Sequence, residues 1–431
     1  MDTIYALSSG MGVSGVAVIR ISGENLQNLF HKITGRKNPE PRHAYTSHLL
    51  DNAGDIIDRA IAIYFSAPNS FTGTDVIEFH THGSAAVIKK LFDVLKENGA
   101  RLANPGEFSR RAFDNEKMDL EMADGLVNLL SAQTEKQRQF ALRAAIGHYS
   151  SALENWRSQM IKIAAFATAM TDYDETDLPQ NIGETLTERT QNLANEIGAA
   201  ITRGGVARGI HRGFNITLAG DTNVGKSSLF NALLGTSRAI VSNTHGTTRD
   251  VITADLDLDG YLVRVADTAG LRETENEIEK IGIEKTNDEI KNADLVLRVY
   301  DARGVPNALP QNKNEIIVIN KSDLLNENYS RDAICVSAKT GDGIEDLFNE
   351  IRTRVGELTN GAESDIVVGT RALEHLQNAL NELNAALKNK NNIELFGAHI
   401  NYASNEIGKI LGTIGASDVA DAIFSKLCLG K

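Results

Sequence analysis

Cysteine is nearly absent from this 431-residue chain, which carries two, Cys335 and Cys428. Two thiols so far apart exclude a disulfide framework and point to a reducing compartment, the cytoplasm. Long apolar runs are missing too. No stretch approaches the ~18 apolar residues that span a bilayer, so no membrane association is expected. The opening MDTIYALSSG has no basic segment leading into an apolar one, and no secretory leader is expected. Positive charge is in deficit: a formal net charge of −13 excludes general adhesion to nucleic acid and confines any RNA contact to local basic clusters. The candidates are RRAF at Arg110 and Arg111, EKQRQF around Lys136 and Arg138, and ARGIHRG around Arg208, each with a solvated face as the ordinary alternative. Neither an internal repeat nor a low-complexity tract occurs.

What is present is globular. Hydrophobic residues make up 42% and charged residues 23%, over a length that allows roughly two to four domains. The first hundred-odd residues mix strand-like GVAVIRIS and AIAIYF with a helical AAVIKKLFDVLKENG closed by a capping glycine, an α+β pattern. From about Met118 to Arg212 the pattern is helical, with Leu126, Leu129 and Leu130 marking its face. Strand-like FNITLAG, YLVRVADTAG, DLVLRVYD, EIIVIN and AICVSAK follow, each leading into a helical stretch, the alternation of a doubly wound sheet. Helix then resumes, with Leu373, Leu376, Leu380, Leu383 and Leu387 as one core stripe and Ile407, Ile410, Leu411 and Ile414 as another. A helical block interrupted by a complete α/β domain predicts an insertion, whose motion reaches the helical body at both ends.

GDTNVGKSS, Gly220 to Ser228, matches G-x-x-x-x-G-K-[ST] between an apolar strand and a helix. Its backbone N–H groups, from Asn223 through Val224, Gly225, Lys226, Ser227 and Ser228, can turn toward phosphates at a helix N-terminus. Lys226 reaches the β- and γ-phosphates, and the Ser227 hydroxyl suits Mg²⁺. DTAG (Asp267, Thr268, Ala269, Gly270) ends a strand where it can meet the magnesium shell and the γ-phosphate. In NKSD (Asn320, Lys321, Asp323) the Asp323 carboxylate can accept both N–H groups of guanine, which adenine does not offer. SAK (Ser337, Ala338, Lys339) supplies a backbone N–H to the guanine oxygen. Four motifs in this order identify a GTPase domain. One part is missing: small GTPases place a glutamine after D-x-x-G to orient water, and here Leu271 stands there. SNTHGTTRD, containing Ser242, Asn243, Thr244, His245, Gly246, Thr247 and Thr248, offers hydroxyls and carbonyls beside the phosphates, with Thr248 the natural second magnesium ligand.

The chain ends KLCLGK. Cys428 can be read as a lipid-anchor signal, a core thiol or a reactive group on a tail; Gly430 and Lys431 fit prenylation poorly. His80 and His82 alternate as metal ligands can, although strand histidines are more often structural.

VAVIRISG, DVIEFHTHG, NPGEFSRRAFDNEKMDL, the four GTPase motifs, GTTRD, DTAGLRET, EKIGIE and the terminal Cys-x-Gly-Lys resemble, end to end, the MnmE (TrmE) family of tRNA wobble-uridine modification GTPases. The resemblance implies a multidomain α/β and α fold: an N-terminal α+β folate-binding and dimerisation domain (1–117), a helical domain in two parts (118–212 and 359–431), and a Ras-like G domain (213–358) inserted between them. It implies a tetrahydrofolate one-carbon donor, 5,10-methylene or 5-formyl, bound by Arg20, Glu78 and Lys117 with Lys431 approaching. It implies K⁺ held by Asn223, Ser242, Thr244 and Thr247 in place of an arginine finger, and Glu279 positioning the water that Leu271 cannot. Cys428 is implied as a reactive or positioning thiol near the folate. The implied partners are a second copy of the chain, the flavoprotein MnmG, and tRNA. The pattern departs from the family at Thr222, at His245, in SSGMGVSG and in FHTHGS. The alternative is an Era-like RNA-binding or ribosome-assembly switch, which has the G domain but needs neither the N-terminal block nor the terminal Cys-x-Gly-Lys.

Overall fold

A computed structural model describes residues 1–172, 181–235, 239–240, 252–267, 290–306, 309, 312–324, 333–359, 369–415, 417–427 and 430. In chain order the elements are β1 (Ile4–Leu7), β2 (Ser14–Gly23), α1 (Gln27–Thr34), β3 (Ala44–Leu50), β4 (Ile56–Phe65), β5 (Asp75–Gly83), α2 (Ala85–Glu97), β6 (Arg101–Leu102) and α3 (Glu107–Asp114). A helical stretch follows as α4 (Leu120–Ser131), α5 (Glu135–Ala145), α6 (His148–Asp172) and α7 (Ile182–Arg212). Next come β7 (Phe214–Ala219), α8 (Lys226–Leu234), β8 (Ala239–Ile240), β9 (Ile252–Leu258), β10 (Tyr261–Asp267), β11 (Leu295–Asp301), β12 (Glu315–Asn320), β13 (Ile334–Val336) and α9 (Ile344–Leu358). The chain closes with α10 (Thr370–Lys388), α11 (Ile393–Leu411) and α12 (Ser417–Phe424). Among the described residues no helix is long and apolar enough to cross a membrane. The chain forms two compact units, one of residues 1–127, 144–194 and 374–431, the other of 128–143 and 195–373.

The first unit is built on a sheet ordered β3-β4-β5-β2-β1-β6. All pairs are antiparallel except β1 with β6. β2 alternates in burial from Ala17 to Ile21 and β5 from Ile77 to Gly83, so Ile19, Ile21, Ile77 and Phe79 fill the core with Phe30 of α1 and Tyr64 of β4. The same alternation puts Arg20 and Glu78 opposite one another on the other face. α2 ends as its sequence predicts: Gly99 follows with φ +85°, a conformation that favours glycine. In the helical part α6 and α11 approach closely because their contacts are small; a Cβ on Gly397 would lie 3.2 Å from Cβ of Ala167. α12 plugs a separate cluster, in which Phe424 and Leu427 meet Leu120 and Ala123. In α10 the predicted leucine stripe divides. Leu376 and Leu383 are fully buried with Ala372, Ala379 and Ala386, whereas Leu373, Leu380 and Leu387 are half-buried.

The second unit carries a sheet ordered β13-β12-β11-β7-β10-β9-β8. β10, β7, β11, β12 and β13 run parallel, and β9 and β8 add an antiparallel edge. The central strands are apolar almost throughout because both faces are covered; Ile216, Leu218, Leu297, Val299 and Val318 are fully buried. This is the doubly wound Ras-like arrangement. Its loops leave the carboxyl ends of the parallel strands where the order reverses around β7, the place where such sheets bind ligands.

Two of the three basic clusters considered for RNA are engaged within the fold, and the side chain of Arg208 in the third lies outside the description. Arg111 is 5% exposed and donates to Asp2, Glu107 and the Ser22 carbonyl, so it braces the fold. Arg110 pairs with Asp114 and Asp421, and Arg138 with Glu135. Lys136 lies over the Tyr261 ring at 5.7 Å.

Candidate nucleotide site and N-terminal polar site

After β7 the chain turns through Gly220 (φ +148°), Asn223 (φ +63°) and Gly225 (φ +93°) before α8 begins. A Cβ on Gly220 would run into the Val299 carbonyl, and one on Gly225 into the Asn320 side-chain amide, so both glycines are required by close approach as well as by φ. Lys226 is 8% exposed, and its Nζ donates to the carbonyls of Gly220 (2.9 Å) and Asp221 (2.8 Å). Burial pushes its ammonium below the ordinary lysine range, with Asp267 and Asp221 pushing back. A partly desolvated cation inside a loop at a helix N-terminus fits an incoming phosphate, whose charge restores what burial removes. Ser227 and Ser228 are exposed at the start of α8, with the Ser227 hydroxyl available to a magnesium ion, and the buried Asp267 ends β10 next to β7.

Asn320, 1% exposed at the end of β12, connects the phosphate loop to the base loops. Its Nδ2 donates to the carbonyls of Val224 (3.0 Å) and Gly225 (3.3 Å). Its Oδ1 accepts from the N–H groups of Lys321 (2.8 Å) and Ala338 (3.2 Å). Lys321 adopts φ +64°, and its Nζ donates to Asn223 O and Asp301 Oδ2, both at 2.7 Å. Asp323 Oδ1 accepts from Ser337 Oγ at 2.7 Å, which orients an otherwise exposed carboxylate. Ser337 Oγ also accepts from Thr340 N–H at 3.2 Å, and Lys339 is exposed beside it. Thus Asn223 to Ser228, Asp267, Asn320, Lys321, Asp323, Ser337, Ala338 and Lys339 all lie at the carboxyl ends of the parallel strands of one sheet. Asp301 was not singled out from sequence. Arg303 and Lys321 hold its carboxyl well below the usual carboxylate range, and it fixes the lysine that in turn holds the phosphate loop. Its position as the last residue of DLVLRVYD, matching Asp267 and Asn320 on their own strands, was the available signal. Ser242, Asn243, Thr244, His245, Gly246, Thr247, Thr248, Thr268, Ala269, Gly270, Leu271, Glu279, Cys428 and Lys431 lie outside the described residues.

In the N-terminal unit Arg20 Nε donates to Glu78 Oε1 at 2.9 Å, and Nη2 of the same arginine lies 2.8 Å from that oxygen. The guanidinium is 5.3 Å from the Phe71 ring centre and 6.0 Å from that of Phe108. Phe71 is 37% exposed, so an aromatic face and an ion pair share the surface, a chemistry that fits a planar, hydrogen-bonding, anionic ligand such as a folate. Lys117 is exposed and stands against Gly73, in the turn that follows Phe71. His82 pairs with Asp58 at 2.8 Å and His80 with Glu78 at 3.5 Å, so the two histidines take separate carboxylate partners.

The family described as GTP-binding protein TrmE N-terminus matches residues 3–117, and that described as MnmE helical domain matches residues 120–428. A tRNA modification GTPase MnmE of Brucella anthropi is 39% identical over 441 residues, covering 100% of this chain and 98% of its own. One of Agrobacterium fabrum is 38% identical over 438 residues, covering 100% and 99%. The solved structure of a single-residue variant of Aquifex aeolicus Era bound to GDP and AlF4⁻ aligns with 39% of this chain and 66% of its own at 23% identity, with a TM-score of 0.27. The G domain is therefore identified by its strand order and motifs rather than by that alignment. A TrmE N-terminal block, a helical-domain match running across residues 120–428 and relatives spanning the whole chain show what the Era-like alternative does not need, and the chain belongs to the MnmE (TrmE) family of tRNA modification GTPases.

Proposed function

We propose that this chain is a homodimeric, potassium-stimulated GTP hydrolase of the cytoplasm. With a flavoprotein partner, MnmG, it adds an aminomethyl or carboxymethylaminomethyl group to C5 of the wobble uridine of certain tRNAs. The observation that carries the reading is end-to-end similarity, 39% identity across 100% of the chain, to proteins named tRNA modification GTPase MnmE. Residues 1–117 form the folate-binding and dimerisation domain, 118–212 and 359–431 the helical domain, and 213–358 the G domain.

In the G domain Lys226 contacts the β- and γ-phosphates, and the Asn223–Ser228 backbone cradles them. Asp323 takes the guanine N–H groups while Ser337 holds its carboxylate in place. Mg²⁺ on Ser227 and Thr248, and K⁺ on Asn223, Ser242, Thr244 and Thr247, supply when bound the positive charge that phosphoryl transfer requires. Leu271 has no hydrogen-bonding group, so Glu279 positions the attacking water. In the N-terminal domain Arg20, Glu78 and Lys117, approached by Lys431, bind the tetrahydrofolate that donates one carbon. Cys428 serves that chemistry and not hydrolysis. Opening and closing of the G domain during turnover reaches the helical domain through both ends of the insertion.

Two measurements test the reading. Hydrolysis is expected to be much faster in K⁺ than in Na⁺, and equal rates would remove the cation mechanism. Cys428→Ser is expected to keep GTPase activity and lose modification; a variant fully active in both returns this residue to a packing role.

A further inference from the structure

We infer that Ser8, together with Arg20, positions the C-terminal tail by grasping the single carbonyl oxygen of Gly430. Ser8 follows β1, and its backbone is fixed by an N–H bond to the Val18 carbonyl at 2.7 Å. That leaves the hydroxyl for the tail: Ser8 Oγ donates to Gly430 O at 3.0 Å across 422 residues of sequence. Arg20, on the neighbouring strand opposite Ala6, gives the same oxygen a second donor through Nη1 at 3.3 Å, while its Nε and Nη2 remain on Glu78.

The third grip is steric. Gly430 has φ +88°, and a Cβ there would lie 2.5 Å from the Leu7 carbonyl and 2.7 Å from Ser8 Cα. The backbone at Gly430 therefore rests directly on residues 7 and 8, which a side chain at position 430 would prevent. Three residues upstream, Leu427 is 3% exposed in the cluster with Leu120 and Phe424. An apolar plug at 427 and a polar clasp at 430 thus bracket Cys428 in sequence. Arg20 belongs at once to the proposed folate site and to the clasp. The bearing of the clasp on Cys428 chemistry rests on the proposed function; the clasp itself does not.

Carboxypeptidase B release of Lys431 from the full-length protein, followed by intact mass, reads how often the tail lets go. Each rate is normalised to the free hexapeptide carrying the same last six residues. Losing one hydrogen bond, Ser8→Ala is expected to speed release about fivefold. Gly430→Ala, which meets backbone atoms and a disfavoured φ, is expected to speed it roughly tenfold or more. Ser8→Thr, which retains the hydroxyl, restores the parental rate, while melting temperature and GTP hydrolysis stay as in the parent for all three. Parental release rates in both Ser8→Ala and Gly430→Ala overturn the proposal, as does a Ser8→Thr variant that releases as fast as Ser8→Ala. The assay contains no GTP, folate or tRNA, so a failed clasp is distinguishable from a failed modification reading, which shows itself in tRNA nucleosides.

Discussion

Replacing Asn320 by alanine is the most informative single cut into the nucleotide site. The side chain is 1% exposed and makes four contacts: two donations to Val224 O and Gly225 O, and two acceptances from Lys321 N–H and Ala338 N–H. Alanine leaves two carbonyls and two N–H groups without this partner, each worth about 1 kcal/mol or more when buried, with entering water recovering part. A net loss of about 3 kcal/mol is expected, on the order of a hundredfold in GTP affinity, because the phosphate loop and both base loops lose their common tie. Asn320→Asp is expected to be worse than alanine. It keeps the acceptor for Lys321 and Ala338 but turns a carboxylate oxygen toward two carbonyls that need a donor. Titration of a fluorescent GTP analogue into each variant measures this. An alanine variant within about threefold of the parent, or an aspartate variant that binds better than alanine, refutes the tie.

Other perturbations probe other parts. Asp323→Asn loses charge-assisted acceptance from guanine and is expected to weaken GTP by about 2–4 kcal/mol while favouring xanthosine triphosphate; unchanged base preference in competition binding contradicts the assignment. Gly412→Ala adds a Cβ that would lie 2.7 Å from Leu120 Cγ and 2.8 Å from Phe113 Cε2, at φ +82°. Urea denaturation is expected to show a loss of about 2–3 kcal/mol, and a loss below about 0.5 kcal/mol is incompatible with that packing. Asp301 has its carboxyl held low by Arg303 and Lys321, so its folded pKa lies below the unfolded value of about 3.9. Its contribution is therefore complete above about pH 5 and is lost as pH falls toward the folded pKa. The melting-temperature gap between parent and Asp301→Asn is expected to narrow from about pH 7 to about pH 3.5, and a constant gap contradicts the pairing.

The sheet of the G domain was legible because both of its faces are covered: a strand that is apolar throughout, such as EIIVIN, announces itself and ends at Asn320 on schedule. The motifs then followed, since Gly220, Gly225, Asn320 and Ser337 are there for backbone geometry that sequence spacing specifies. β9 was not read, because ITADLDL alternates apolar with charged or polar residues and lacks the continuous apolar run of the central strands. The α10 core was read in part: Leu376 and Leu383 are fully buried, as expected. Leucines draw the eye, yet Ala372, Ala379 and Ala386 are as fully buried as Leu376 and Leu383, and alanine alone does not mark a core face in sequence. Arg111 reads as a surface cation until Asp2 and Glu107 enclose it, the first of them far away in sequence. The Arg20–Glu78 pair was reachable through family resemblance alone; cross-strand register brings the two together, and register is not written locally.

The most direct test of the central claim is mass spectrometry of tRNA nucleosides from cells lacking this protein, beside cells complemented with it. The account predicts that the aminomethyl and carboxymethylaminomethyl groups at C5 of the wobble uridine disappear and return on complementation. Identical nucleoside profiles with and without the protein would contradict it.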